Sequence, residues 1–348
     1  MGGFFNYLCF TALSFSHNND NRLCWRGVRK VNKKIIFFGD FGIDDAVTLI
    51  YANKTCKLDI IGIVAEYGNV SREIVTENVY FLEKYYATEV KIIEGASRPM
   101  TAEEPLFFPE IHGDHGLGPI IPPKMRICER ENFCELIKLI EPCPEDIIIV
   151  ATGRLTTLAT LFLLYPNLMN RVCSYYIMGG AFLFPGNVTP VSEANFYGDP
   201  IAANIVMKYA KNATIYPLNV TQRALITPEM VDIIDKEGTG QAKLIKPMID
   251  FYFENFYKKE YPGIAGSPIH DLLPFISFIN DDIFEYKKSA VWISTTNDVT
   301  RGQSVADFRK IAEPTKFDNR PIQRIAVDFN YQAFKDEFMR TILKPDCP

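Results

Sequence analysis

Residues Ile35 to Ile50 read I-I-F-F-G-D-F-G-I-D-D-A-V-T-L-I. The apolar run Ile35–Phe38 predicts a buried strand, which Gly39 and Gly42 interrupt. Ile43, Ala46, Val47 and Ile50 then recur at the spacing of one helix face. Three carboxylates, Asp40, Asp44 and Asp45, fall at the junction. In an open parallel sheet, ligands bind where a strand ends and its helix begins. A helix start stabilises one negative charge. Three that close repel one another and call for a cation or for ligand hydroxyls. An Asp-capped helix with no ligand uses the same residues, so the cluster alone does not choose between the two readings.

From Lys34 onward apolar strands alternate with helical patterns. Strands are expected at Ile35–Phe38, Ile60–Ala65, Lys91–Ile93, Ile147–Ala151, Tyr175–Met178, Thr214–Pro217, Val291–Ser294 and Arg324–Val327. Helices are expected between them, as at Ser71–Tyr86, Leu155–Leu164, Pro200–Tyr209 and Pro228–Asp235. Such alternation predicts an α/β fold, with an open, mostly parallel, Rossmann-like sheet and helices on both faces. No repeat or linker divides residues 34–348, which are expected to be one domain. Two segments carry little strand pattern, Arg98–Pro123 and the aromatic Lys243–His270, and long loops of this kind often serve as binding loops or lids.

The chain has 348 residues, is 47% hydrophobic and carries a net charge of −5. That balance, without a long basic block, argues against a nucleic-acid surface. The eight cysteines form no C-x-x-C pair. Neither a zinc knuckle nor a disulfide framework is suggested, and free thiols in a reducing cytosol are expected. The apolar stretch Phe4–Phe15 is too short to span a bilayer. Its basic residues follow it instead of preceding it, the reverse of an export signal. Residues 1–33 are therefore expected to be a disordered extension of a cytoplasmic protein without membrane partners.

The strand ends carry the chemistry. Gly68-Asn69, Glu94-Gly95, Thr152-Gly153 and Gly179-Gly180 each follow an expected strand, and Asn187, Glu193 and Asn195 come soon after the last. Turns need the glycines but not the accompanying amides and acids. Together, neutral Asn and charged Glu can hold several sugar hydroxyls by donating and accepting. In the loop Ile111–Gly118, His112 and His115 flank Asp114, but without a third ligand nearby they are weak evidence for zinc. His270-Asp271 opens an apolar helix, where the acid also serves as a plain cap.

Taken together, these motifs resemble the inosine-uridine preferring nucleoside hydrolases, in the family's order, from about Lys34 to Asp307. The D-x-G-x-D-D signature is Asp40 to Asp45. G-N-V is Gly68 to Val70, H-G-x-x-G-L-G is His112 to Gly118, and T-G-x-L-T is Thr152 to Thr156. The block I-M-G-G-A-F, P-G-N-V-T-P and E-x-N-x-x-x-D-P runs from Ile177 to Pro200, and the H-D pair is His270-Asp271. The resemblance implies the nucleoside hydrolase fold and calcium-dependent cleavage of the N-glycosidic bond of ribonucleosides. It assigns Ca²⁺ to Asp40, Asp45, the Thr152 carbonyl and Asp271, all hard oxygen donors of the kind that cation takes. It assigns ribose to Asp44, Asn69, Met178, Asn187, Glu193 and Asn195, and the base to His112 and His270.

The expected chemistry follows. Asp40 takes the proton of the attacking water, Asn195 and its neighbours grip the ribose, and His270 protonates the departing base. Phe253 and Tyr257, four residues apart, are expected to close over the base. A homodimer or homotetramer is expected from the family's habit. The chain departs from the pattern at Phe38, where a further Asp is usual, at Phe41, and at Asn219, where Asp is usual. Phe38 and Asn219 motivate a second reading, a ribose-binding protein without turnover, which the presence of Asp40, Asp45, His270 and Asp271 opposes. A phosphohydrolase is disfavoured because Asp40-x-x-x-Asp44 is not an Asp-x-Asp loop.

Overall fold

Ile35, Ile36, Phe37 and Phe38 are all buried. A strand without an exposed face needs a sheet covered on both sides. In the computed structural model this strand, β1 (Lys34–Gly39), lies inside an eight-stranded sheet. The structure describes residues 34–84, 90–124, 133–311 and 318–347, so the expected extension 1–33 lies outside the described residues. Further strands of the sheet are β2 (Asp59–Ala65), β3 (Lys91–Glu94), β4 (Ile147–Ala151), β5 (Ser174–Met178) and β6 (Ala213–Tyr216). Two short strands, β7 (Leu225–Ile226) and β8 (Ser267–Pro268), pair apart from it, as do β10 (Val291–Ile293) and β11 (Ser304–Ala306). β9 (Phe284–Ser289) and β12 (Gln323–Phe329) complete the order β3-β2-β1-β4-β5-β6-β12-β9.

Every neighbouring pair in the sheet is parallel except β12–β9. The order reverses between β1 and β4. At such a point the two following connections leave to opposite faces and open a crevice at the carboxyl ends. Asp40 follows β1 and Thr152 follows β4, so the motif residues meet at this crevice. Helix α1 (Ile43–Lys54) starts there, and α2 (Arg72–Glu83) follows β2.

The sheet divides the core into two layers. Ile35 and Phe37 pack with α1 and the C-terminal helix Tyr331–Ile342, whereas Ile36 and Phe38 pack with the helices Thr156–Leu164 and Pro200–Tyr209. Phe38, the first departure from the family pattern, is thus a core residue, 1% exposed.

The expected strands are found, with two differences. Val291–Ser294 pairs with β11 instead of joining the sheet. The antiparallel edge β9, F-E-Y-K-K-S, gave no signal because half-exposed charged residues fill its outer positions. The expectation of free thiols is corrected at Cys56 and Cys347, which form a disulfide 291 residues apart in sequence. No spacing motif reveals a pair that distant. The bridge ties the end of α1 to the chain's C-terminal end, beside Lys54. That lysine is fully buried, donates to the Lys344 carbonyl at 2.7 Å and pairs with Asp346 at 2.9 Å.

A bridge that closes so long a loop removes much unfolded-chain entropy, by a chain-entropy estimate about 5 kcal/mol. Cys347→Ser is therefore expected to lower Tm by several degrees. A reductant should lower Tm of the parent by a similar amount and leave the variant unchanged. Equal Tm for parent and variant, with and without reductant, would exclude the bridge.

Candidate active site

The turn after β1 is built for close approach. Asp45, inside the first turn of α1, accepts from the Gly42 amide at 3.1 Å and from the Thr152 hydroxyl at 2.7 Å. A side chain at Gly42 would meet His112 Nδ1 at 2.4 Å, and one at Gly68 would meet Asp40 Oδ2 at 1.9 Å. Glycine is the residue that admits such contacts. Asp40 Oδ2 accepts from the Asn69 amide at 2.8 Å and from Arg154 Nη1 at 2.6 Å. The Arg154 side chain and Asp40 are each 2% exposed, so this is a buried ion pair.

Asp271 arrives from the other side of the cleft. β7 and β8 pair, and the Ile269 amide donates to the Ala224 carbonyl at 3.0 Å. This fixes His270 and Asp271 at the start of the helix Leu272–Ile279. Carboxylate oxygens of Asp44, Asp45 and Asp271 lie within 4.8 Å of one another, all buried. Burial, then the charge of neighbouring carboxylates (Asp40 first for Asp44 and Asp45, Asp44 first for Asp271), pushes all three carboxyls up, Asp44 to about 7. Burial also raises Asp40, against the opposing pull of Arg154. Asp44 Oδ1 is buried without a partner among the described residues. A buried cluster of hard oxygens with an acceptor that no described residue satisfies fits a calcium ion. This three-carboxylate group contains Asp44, whereas the resemblance gave Asp40 to the metal and Asp44 to ribose.

Above the carboxylates is a cleft of about 700 Å³, counting its open mouth. Asn195 stands in its wall, with Nδ2 donating to the Thr152 carbonyl at 2.6 Å and lying 3.4 Å from Met178 Sδ. Glu193 caps the short helix Ala194–Gly198, accepting from the amides of Gly180, Asn195 and Phe196. A carboxylate has about four acceptor positions, so one is left for a ligand. Asn187, exposed at the mouth, accepts from the Ala194 amide at 3.0 Å.

The opposite wall is aromatic. His112 Nδ1 accepts from the Ile43 amide at 3.1 Å and so caps α1. Burial holds its pKa down at about 3, leaving a neutral ring. His270 Nε2 lies 3.1 Å from the Tyr257 hydroxyl, and Nδ1 lies 2.9 Å from the Thr221 hydroxyl. Burial lowers its pKa to about 4.

These features are matched in known proteins. Residues 35–336 fit the model of the inosine-uridine preferring nucleoside hydrolases. The chain belongs to that family. It is 33% identical to uridine nucleosidase 1 of Arabidopsis thaliana over 268 residues, 76% of this chain and 79% of that protein. It is 30% identical to the pyrimidine-specific ribonucleoside hydrolase RihA of Salmonella newport, over 87% of this chain and 96% of that one. Among solved structures, the purine-preferring ribonucleoside hydrolase from Gardnerella vaginalis superposes with a TM-score of 0.80 at 28% identity, covering 89% of this chain and 98% of that one. A plant nucleoside hydrolase, PpNRh1, gives 0.83 at 26%, covering 90% of this chain and all of that one.

This nucleoside hydrolase is thus a hydrolase of the N-glycosidic bond of ribonucleosides, with an aspartate cluster of the Ca²⁺ type. Among its described residues no helix is long and apolar enough to cross a membrane. Of the residues named from sequence, Asp40, Asp44, Asn69, His112, Thr152, Met178, Asn187, Glu193, Asn195, Tyr257, His270 and Asp271 line the cleft, with Asp45 buried just beneath.

Phe253 does not line the cleft, and its place there is corrected to Tyr252. Residues Phe253–Tyr257 form a π-helical turn, so residues five apart share a face in place of four. Tyr252 and Tyr257 meet with ring centroids 4.8 Å apart, while Phe253 lies under Lys258. Sequence reasoning also missed Thr221 and Arg154. Asn219, the departure beside Thr221, grips the Phe182 backbone at both ends, accepting at 3.0 Å and donating at 2.8 Å.

The raised carboxyls make a stability prediction for the calcium-free protein. Asp44 keeps its proton to about 7 in the folded chain, against 3.8 in the unfolded one. Across that window the folded state binds more protons, so stability falls as pH rises. In chelator, Tm should drop between about pH 5 and about pH 8. Saturating Ca²⁺, which binds the ionised carboxylates of the folded state, should remove most of the drop. A flat profile in chelator would contradict the carboxylate repulsion.

Proposed function

We propose that this hydrolase cleaves uridine and inosine, with Asp40 as general base and the ribose held by Asp44, Asn69, Asn187, Glu193 and Asn195. The observation that carries this reading is the cleft itself, with buried aspartates on its floor, amides on one wall, and His270 and Tyr257 on the other. The names of the pyrimidine-specific and uridine-cleaving relatives support uridine among the substrates.

Asp40, Asp45, the Thr152 carbonyl and Asp271 would hold calcium, whose charge orients ribose hydroxyls and makes a water easier to deprotonate. Asp40 has Oδ2 occupied by protein donors and takes the proton of the attacking water on Oδ1. The ribose grip favours the flattened, cationic ring of the transition state. His270 is neutral before substrate enters. Negative charge growing on the departing base raises the His270 ring's pKa, so that it takes up a proton from solvent at the open mouth of the cleft and returns to neutral on giving it to the base. The Tyr257 hydroxyl, in contact with Nε2, completes the path by which the proton reaches the base. Met178 supplies an apolar contact to the sugar, and His112 a polar one to the base.

We also propose a homodimer or homotetramer. The family's habit supports the assembly, and the Cys56–Cys347 disulfide stands against the reducing cytosol expected from the cysteine pattern.

The decisive experiment is hydrolysis of a panel of inosine, adenosine, guanosine, uridine and cytidine, with and without a calcium chelator. Release of ribose from uridine or inosine, lost in chelator and restored by Ca²⁺, is expected. Ribose binding without release from any substrate would overturn the reading.

The leaving-group role is tested separately. His270→Ala should lower kcat on uridine or inosine by about 10²- to 10⁴-fold. It should lower p-nitrophenyl riboside hydrolysis far less, since nitrophenolate leaves unprotonated. Equal losses on both substrates, with weakened calcium binding, would reduce His270 to a support for Asp271.

A further inference from the structure

Arg154 stands just past β4, and its side chain is 2% exposed. A guanidinium is charged at every physiological pH and has only donors, so burying it demands acceptors. It finds two in the cleft. Nη1 donates to Asp40 Oδ2 at 2.6 Å and to Asn195 Oδ1 at 3.1 Å. The guanidinium carbon also lies 5.7 Å from the centre of the Phe108 ring. Nε has no partner among the described residues, so Nη1 and packing do the holding.

Two consequences follow for groups that face the sugar. Asp40 Oδ2 also accepts from the Asn69 amide at 2.8 Å. With two donors on that oxygen, the carboxylate cannot turn, and Oδ1 is the one it presents. An Asn side chain can flip its oxygen and nitrogen, and its partners decide which way it sits. Arg154, which can only donate, takes the oxygen of Asn195. The nitrogen is thereby sent to the Thr152 carbonyl at 2.6 Å. One nitrogen atom thus sets the rotation of the base and the orientation of the amide together.

We propose that Arg154 is a positioning residue for glycosidic cleavage, locking Asp40 and Asn195 into a single rigid unit. This rests on the roles given above to Asp40 and Asn195. A misplacement of about 1 Å at such groups costs on the order of a hundredfold in rate.

The test compares the parent with Arg154→Ala and Arg154→Lys on uridine and inosine, with calcium affinity from calorimetric titration and Tm measured alongside. A lysine ammonium ends one bond short of the Nη1 position, so it keeps the charge but loses the shared contact. Both variants should lose kcat by about a hundredfold, with KM changed far less. Arg154→Lys should keep the parent's calcium affinity. Millimolar methylguanidinium should restore much of the lost kcat to Arg154→Ala and none to the parent, whereas equal urea or sodium chloride should not. If Arg154→Ala does not fold, Arg154→Lys decides the matter through the kcat loss at unchanged calcium affinity. Undiminished or raised kcat in a folded variant overturns the proposal. So does a loss that methylguanidinium leaves unrestored and that parallels lost calcium affinity or Tm, which would make Arg154 a structural counter-ion only. A parent inactive on the whole panel would instead overturn the proposed substrates.

Discussion

The mutual repulsion of buried carboxylates governs this structure. Asp40, Asp44, Asp45 and Asp271 converge where the sheet order reverses, all buried. Close negative charges in a poorly solvated place are costly unless protonated, paired or bound to a cation. The chain meets that cost in several ways at once. Arg154 pairs with Asp40, the Gly42 amide and the Thr152 hydroxyl satisfy Asp45, and Asp44 retains an oxygen with no partner among the described residues. What is left unsatisfied is what a calcium ion and the ribose hydroxyls together would satisfy. The site's chemistry and the loss of stability expected as pH rises without metal therefore have one origin.

The rest of the cleft depends on that floor staying in place. His112 caps α1 and so fixes the helix that carries Asp44 and Asp45. Thr221 and Tyr257 hold His270 between them. Glu193, its oxygens largely occupied by backbone donors, orders the loop that carries Asn195. Several polar residues facing the substrate thus have a second partner in the scaffold. Such double duty keeps a reactive geometry from drifting when the cleft is empty.

Much of this was legible in the sequence because periodicity and turn chemistry agree there. The strand-turn-helix at Ile35–Ile50 was read correctly since both of its periods are clean and its glycines sit at the turn. The site residues at strand ends were legible because a parallel sheet gathers those ends on one edge. What was missed has a common cause. β9 pairs antiparallel and is half exposed, so its pattern is diluted by charge. Tyr252 was hidden by a π-helical turn that shifts the spacing by one residue. Arg154, Thr221 and the Cys56–Cys347 bridge owe their roles to partners 41 to 291 residues away, which no local spacing encodes. The departures Phe38 and Asn219 are structural in effect. One fills a core layer, and the other pins the backbone of Phe182.

Helix α1 joins the first strand of the sheet to the last helix of the chain. Its start holds Asp44 and Asp45, while Tyr51 stacks on Phe338 with ring centroids 6.2 Å apart, and Lys54 is enclosed by the segment around Lys344 and Asp346. The side of this helix that carries Tyr51 and Lys54 is therefore uncovered until residues some 290 positions later have been made. On the ribosome, the aspartates emerge early and their supporting wall emerges last. A truncated product that stops before Tyr331 would carry every motif and yet leave the Tyr51 side of α1 without its cover.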